Sequence, residues 1–268
     1  MPPGLARAQW QANPIASIPN METRILTVFA HPDDAEALAG GTLVAMVSKG
    51  AKVYLCIVTD GDKGTHDDND PKERVIARRR EEQTRAAAML GAEVIWLGYE
   101  DGMVQPTLEL RKDLVRVIRQ VRPHIVLTHD PTVWFRHGAY INHPDHRAVG
   151  QAAVEALYPA VKKAGIFPEL AAAGFAPHVP EELWLAGTDE PNRFFDIAPV
   201  FEQKMALLAC HASQFPLEKA RVVFRRLAEE AGRPHGLAAA ESFRVIRLGP
   251  RTVDLLAAQF SSPGEPEE

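Results

Sequence analysis

Cysteine is scarce in this chain of 268 residues: only Cys56 and Cys210 occur. Two thiols make no disulfide framework, and each lies in a run that predicts a strand or a helix, so both read as reduced, buried side chains. Long apolar stretches are also missing. No run approaches the ~18 residues that a membrane helix needs, and the first twenty residues mix Pro, Gln and Asn without an apolar core of signal-peptide type. Positive charge is not in excess either. The net charge is −5 and the pI about 6.1, which excludes a broad basic surface for nucleic acid or anionic lipid. No internal repeat is present, and no Gly-x-Gly-x-x-Gly turn follows the first predicted strand, which argues against a dinucleotide. These absences predict a cytoplasmic protein with neither nucleic acid nor membrane among its partners.

What is present is a chain with 46% hydrophobic residues, enough for one large core. Residues 1–22 read as an irregular lead-in in which Trp10 docks on the body or on a neighbouring subunit. Residues 23–250 read as a single domain, and 251–268 as a tail, partly disordered and acidic from Ser261 to Glu268. Strands are predicted at Ile25–Ala30, Lys52–Thr59, Val94–Leu97 and Ile125–Thr128, and helices at about Ala35–Lys49, Glu73–Leu90, Leu108–Val121 and Pro144–Tyr158. Gly50 and Gly91 mark helix ends, and unbroken apolar runs such as Lys52–Thr59 suit parallel strands buried on both faces. The alternation predicts an α/β fold: a Rossmann-like, doubly wound, mainly parallel sheet with helices on both faces. A C-terminal α/β extension should add strands near Glu182–Ala186, Phe194–Ile197 and Glu241–Leu248, and helices near Val200–Cys210 and Leu217–Ala231. Ala171–Gly174 and Pro177–Pro180 read as surface loop.

Ligands of such sheets bind outside the carboxyl ends of the strands. His31-Pro32-Asp33-Asp34 follows the first predicted strand there, and His143-Pro144-Asp145-His146 opens the fourth predicted helix. Together the two clusters supply two histidines and one carboxylate to a divalent metal, with a carboxylate to spare, which is the equipment of a metal-assisted hydrolase. His31, Asp34 and His146 are the candidate ligands, for zinc or another divalent transition metal. With Pro144 as the first helical residue, His143 and His146 share a helix face, so one binds metal while the other meets substrate. Asp33 is the candidate general base for a metal-bound water. His143, protonated and oriented by Asp145, would stabilise an oxyanion; Asp145 equally suits a first helical turn for its dipole alone. Asp130, before Pro131, suits either turn initiation or a hydrogen bond to a ligand histidine. Trp134 and Phe135 would stack on a sugar or pack their own loop.

The motif Ala30-His31-Pro32-Asp33-Asp34 with Gly40-Gly41-Thr42 resembles the PIG-L/LmbE-like family of zinc-dependent N-acetylglucosaminyl deacetylases. Further similarity lies in Thr59–Thr65, in Arg79 to Glu82 ahead of Leu90-Gly91, and in His143–His146. Later matches are Lys204, His211-Ala212-Ser213-Gln214 and Glu241-Ser242-Phe243. The resemblance implies hydrolysis of an N-acetyl group on an amino sugar of the N-acetylglucosamine type. It implies one Zn2+ per chain on His31, Asp34 and His146, with Asp33 as base and His143 as an electrostatic or acid group. It also implies that Arg79 and Asp101 contact the sugar, and that the chain forms a homo-oligomer, trimer or hexamer. By residue type alone, Arg78-Arg79-Arg80 reads as a solvated helix face and Asp101 as a turn residue before Gly102. One departure is clear: a tyrosine that some members carry two positions before the first histidine of the second motif is Ile141 here, with Tyr140 beside it. The alternatives are an amidase of a thiol-sugar conjugate on the same scaffold, and a non-catalytic sugar- or nucleotide-binding module.

Overall fold

A computed structural model describes residues 23–65, 67, 69–136 and 140–248. The expectations for the lead-in, with Trp10, and for the acidic tail lie outside these residues. The elements run β1 (Arg24–Phe29), α1 (Asp34–Val47), β2 (Lys52–Thr59), α2 (Lys72–Leu90), β3 (Glu93–Tyr99), α3 (Leu108–Val121), β4 (Ile125–His129), β5 (Phe135–Arg136), β6 (Tyr140–Ile141) and α4 (Pro144–Leu157). They continue with α5 (Pro168–Ala172), β7 (Glu182–Ala186), β8 (Arg193–Asp196), α6 (Phe201–Ala209), α7 (Leu217–Gly232) and β9 (Ala240–Arg247).

Seven strands form one sheet in the order β3-β2-β1-β4-β7-β9-β8. From β3 to β7 all neighbours are parallel; β9 runs antiparallel to both β7 and β8. The period of two along a strand sends alternate side chains to opposite faces. Ile25, Phe29, Val53, Leu55, Ile57 and Leu127 pack with α1 residues Ala35, Ala39 and Leu43. Leu26, Val28, Ala30, Cys56, Val58 and Val126 pack on the other face with α3 and α4 residues such as Leu114, Ile118, Val149 and Ala153. Burial on both faces is why these strands read as continuous apolar runs. Burial also pushes the Cys56 thiol up to about 12. Cys210 is free and only partly buried, not fully buried as its helical run suggests.

Sheet order reverses between β1 and β4, which makes their carboxyl ends the topological switch point. Among the described residues no helix is long and apolar enough to cross a membrane. Two elements emerge where the sequence reads as loop: the short hairpin β5–β6 between β4 and α4, and the five-residue α5.

Candidate metal centre

The two His-Pro-Asp segments meet at this switch point. After β1 the chain turns through Asp33, whose φ of 100° lies in the left-handed region, and enters α1 at Asp34. A non-glycine residue held there stores about 1–3 kcal/mol of strain. The turn is closed by the His31 N–H, which donates to Asp34 Oδ2 at 2.8 Å. On the other side His143 is the N-cap of α4; its Nδ1 accepts the Asp145 N–H at 3.2 Å, and Pro144 occupies the first helical position, where a missing N–H does no harm. The helix lies tight against β4: a Cβ on Gly150 would stand 2.5 Å from the His129 carbonyl oxygen.

Four ligand-type atoms of three side chains converge here. His31 Nδ1 lies 3.4 Å from Asp34 Oδ2, His146 Nε2 lies 3.2 Å from Asp34 Oδ1, and the two ring nitrogens are 3.3 Å apart. These separations match the edge of a tetrahedron whose bonds are about 2.0–2.1 Å, the length of Zn–N and Zn–O bonds. The donor set, two imidazoles and a carboxylate, therefore fits a zinc-sized dication. His31, His143 and His146 also bring ligand atoms within 4.8 Å of one another.

The far side of His31 fixes how it presents itself. Its Nε2 faces Asp101 Oδ1 at 3.0 Å and Asp145 Oδ2 at 3.3 Å, so Nε2 donates and Nδ1 is the nitrogen turned to Asp34 and His146. Burial disfavours charge on His31, but hydrogen bonds to Asp101, Asp145 and Asp34 outweigh it and raise its pKa well above the usual value. Burial alone would raise Asp101, yet its hydrogen bond with His31 holds it at about 2. Asp145 is lowered in the same way: burial is overridden by His31 and by the backbone N–H groups of Gly102 (2.7 Å) and Val104 (3.2 Å). Asp34 stays well below the ordinary range although buried, because His146 and His129 flank it.

Asp33 behaves in the opposite sense. Burial pushes its carboxyl up to about 7 despite the opposing charge of Arg79, and Asp34 adds to the rise. Arg79 is 3% exposed; its Nη2 donates to the Pro32 carbonyl at 2.6 Å and to Asp33 Oδ2 at 3.2 Å. Its neighbours Arg78 and Arg80 pair with Asp70 and Asp60.

Several expectations change accordingly. Arg79 bonds the Asp33 turn, and Asp101 bonds His31 and accepts the Lys63 N–H at 3.0 Å, partners that the sequence did not name. The Asp145 carboxylate orients His31, whereas His143 receives only the Asp145 backbone N–H. Burial, with the charges of His31 and His146, lowers the pKa of His143, which disfavours the protonated form expected for it. Asp130 makes the turn, its Oδ1 accepting from the Thr132 N–H and hydroxyl at 2.9 and 2.6 Å.

His129 is a site residue that the sequence marked only as a strand end. It is buried, held at about 3 by burial and by the His146 charge, and stacked on His146 with ring centroids 4.0 Å apart. Its Nε2 accepts the Ala30 N–H at 3.2 Å and lies 3.3 Å from Asp34 Oδ2. Its place at the end of β4, across the switch point from His31, was the available signal. The late motifs brace the site from behind. Ser213 donates its hydroxyl to Glu82 at 2.7 Å, Gln214 donates to the Gly64 carbonyl at 2.8 Å, and Lys204 ties the Ala37 carbonyl to Glu241. Glu241 in turn accepts the N–H groups of Gly41 and Thr42 in α1.

Comparison with known proteins bears on this arrangement. The family model described as PIG-L, GlcNAc-PI de-N-acetylase, matches residues 26–157, which hold both His-Pro-Asp segments. A diacetylchitobiose deacetylase of Thermococcus kodakarensis is 36% identical over 198 residues, 72% of this chain and 70% of that one. The chain belongs to the PIG-L/LmbE-like deacetylase family. A solved structure with the same fold is the N,N'-diacetylchitobiose deacetylase from Pyrococcus horikoshii, with a TM-score of 0.78 and 30% identity over 84% of each chain. The chain is also similar to a 4-oxalmesaconate hydratase of Pseudomonas putida, 30% identical over 198 residues, 70% of this chain and 73% of that one.

Proposed function

We propose that this protein is a zinc-dependent N-deacetylase that hydrolyses the acetamide of an N-acetylglucosamine-type sugar to the free amine and acetate. The observation that carries the reading is the convergence of His31 Nδ1, Asp34 and His146 Nε2 at 3.2–3.4 Å, next in the chain to a carboxyl held near neutrality. His31, Asp34 and His146 would hold the metal. Zinc, when bound, supplies a Lewis acid for the acetyl carbonyl and lowers the pKa of water.

The remaining chemistry belongs to the side chains. Asp33, with its pKa raised to about 7, takes a proton from the attacking water and delivers it to the departing nitrogen. His143 Nδ1 accepts the Asp145 N–H, so the neutral ring carries its proton on Nε2. That Nε2–H donates to the carbonyl oxygen as it becomes negative. A neutral imidazole at a helix N-terminus is a known arrangement for polarising a carbonyl. Arg79 and Asp101 act indirectly, on Asp33 and His31. The carbon–nitrogen bond of the amide breaks, water contributes oxygen to acetate, and no redox partner is needed.

The test is acetate release from N,N'-diacetylchitobiose and N-acetylglucosamine by the zinc-loaded protein, with Asp33→Ala as control. Acetate release by the parent, lost in a zinc-retaining Asp33→Ala, is the expected result. Turnover of 4-oxalmesaconate without acetate release would move the protein to the chemistry of its hydratase relative and sink this reading.

A further inference from the structure

We propose that Gln83 is a positioning residue that sets the aim of Asp33; this rests on the reading of Asp33 as the proton carrier. Asp33 is the N-cap of α1, and Glu36 stands three residues on. A carboxylate in that place ordinarily reaches back and accepts the N-cap's own N–H, closing a capping box. Here the box is not closed directly. The Asp33 N–H donates to Gln83 Oε1 at 3.0 Å, and Gln83 Nε2 donates to Glu36 Oε1 at 2.7 Å. An amide from α2 is thus inserted between cap and carboxylate.

The chemistry permits only one orientation of that amide. The Asp33 backbone N–H can only donate, so the amide oxygen must face it, and that turns Gln83 Nε2 towards Glu36 Oε1. Gln83 is fully buried, so no water competes for either bond. Arg79 sits four residues earlier on α2, and residues at that spacing share a helix face. Arg79 holds the Asp33 carboxylate while Gln83 holds the same residue's N–H. One face of α2 therefore grips a left-handed residue at both ends, and Gln83 is the prong without charge. Behind it Glu36 Oε2 lies 3.5 Å from Nε2 of another buried side chain, His211.

The experiment measures zinc content and steady-state kinetics on N,N'-diacetylchitobiose for Gln83→Leu, Gln83→Glu and the exchange pair Glu36→Gln with Gln83→Glu. In Gln83→Leu, one zinc per chain should remain and KM should stay within about twofold, so that the loss falls on a transition-state interaction. The kcat per bound zinc should fall about 100-fold, as a displaced catalytic group predicts. Gln83→Glu should behave alike, since it sets two carboxylates against each other. The exchange pair restores a donor to an acceptor in the reverse sense, and should recover at least about tenfold of the lost kcat. An unchanged kcat per zinc in Gln83→Leu, or no recovery in the exchange pair, overturns the inference while a dead Asp33→Asn leaves the deacetylase reading intact. Full activity in zinc-loaded Asp33→Asn overturns the base assignment and the inference together.

Discussion

The tripeptide His-Pro-Asp occurs at 31–33 and at 143–145, and its two copies take opposite structures. In the first, the helix starts after the tripeptide: Asp33 is the N-cap, left-handed, and its carboxyl is raised by burial. In the second, the helix starts at the proline: His143 is the N-cap, and Asp145 is helical, fully buried and held below its usual range by His31 and two backbone N–H groups. A two-residue shift of the helix start converts the same aspartate from a titratable group into a fixed anion. Chemical role here follows register against the helix, not the identity of the motif.

The comparison can be broken most severely at its histidines. His31→Ala or His146→Ala should abolish stoichiometric zinc binding, measured by metal analysis after dialysis; normal zinc in either would mean the ligand set is wrong. The aspartates come next. Asp33→Ala should keep zinc and lose about 10³-fold in kcat, the range of a general base. Asp145→Asn should do the reverse, weakening zinc about 10–100-fold through the loosened His31 ring. Equal behaviour of the two variants would erase the distinction drawn between the copies. His143→Ala should lower kcat about 100-fold at unchanged zinc content, and should also destabilise α4 by about 1 kcal/mol through the lost cap.

A separate effect is one of pH, read in the metal-free protein. Asp33 binds its proton more tightly folded, near pH 7, than unfolded, near about 3.9. Its ionisation therefore lowers stability as pH rises between those values, and Asp33→Asn should remove that slope. Asp34 has the opposite sign: its depressed folded pKa contributes stability above about pH 3.9, lost only as pH falls through the folded value. Urea unfolding of the parent and Asp33→Asn at pH 5 and pH 8 checks this; the variant should gain relative to the parent at pH 8. Zinc should draw the Asp33 carboxyl downward, visible as a carbon-13 shift of its titration.

Much of this could be read before folding. Lys52–Thr59 and Leu108–Val121 match their observed bounds because apolar continuity and helical periodicity are local signals. The meeting of His31, Asp34 and His146 was legible because the first motif follows β1 and the second opens the helix after β4, both at the carboxyl ends of neighbouring parallel strands. The hairpin β5–β6 was not, since two residues per strand carry no pattern. His129 and Gln83 were missed for a different reason: each matters through apposition of elements distant in the chain, β4 on β1 and α2 on α1. Arg79 and Asp101 show the complementary limit. Residue type alone gave a solvated face and a turn, and the resemblance gave a sugar contact; the direction of each side chain depends on which neighbour buries it.

The base of the hairpin carries one more consequence. The Asn142 N–H donates to the Trp134 carbonyl at 2.9 Å, and its side-chain amide donates to the Val133 carbonyl at 2.8 Å. The strand pair is thereby knotted off at its neck, one residue before His143. Whatever is grafted beyond that neck changes in length at little entropic expense, while the histidine keeps its post. A change of length beyond the neck leaves the Asn142 anchor, and with it the start of α4, in place.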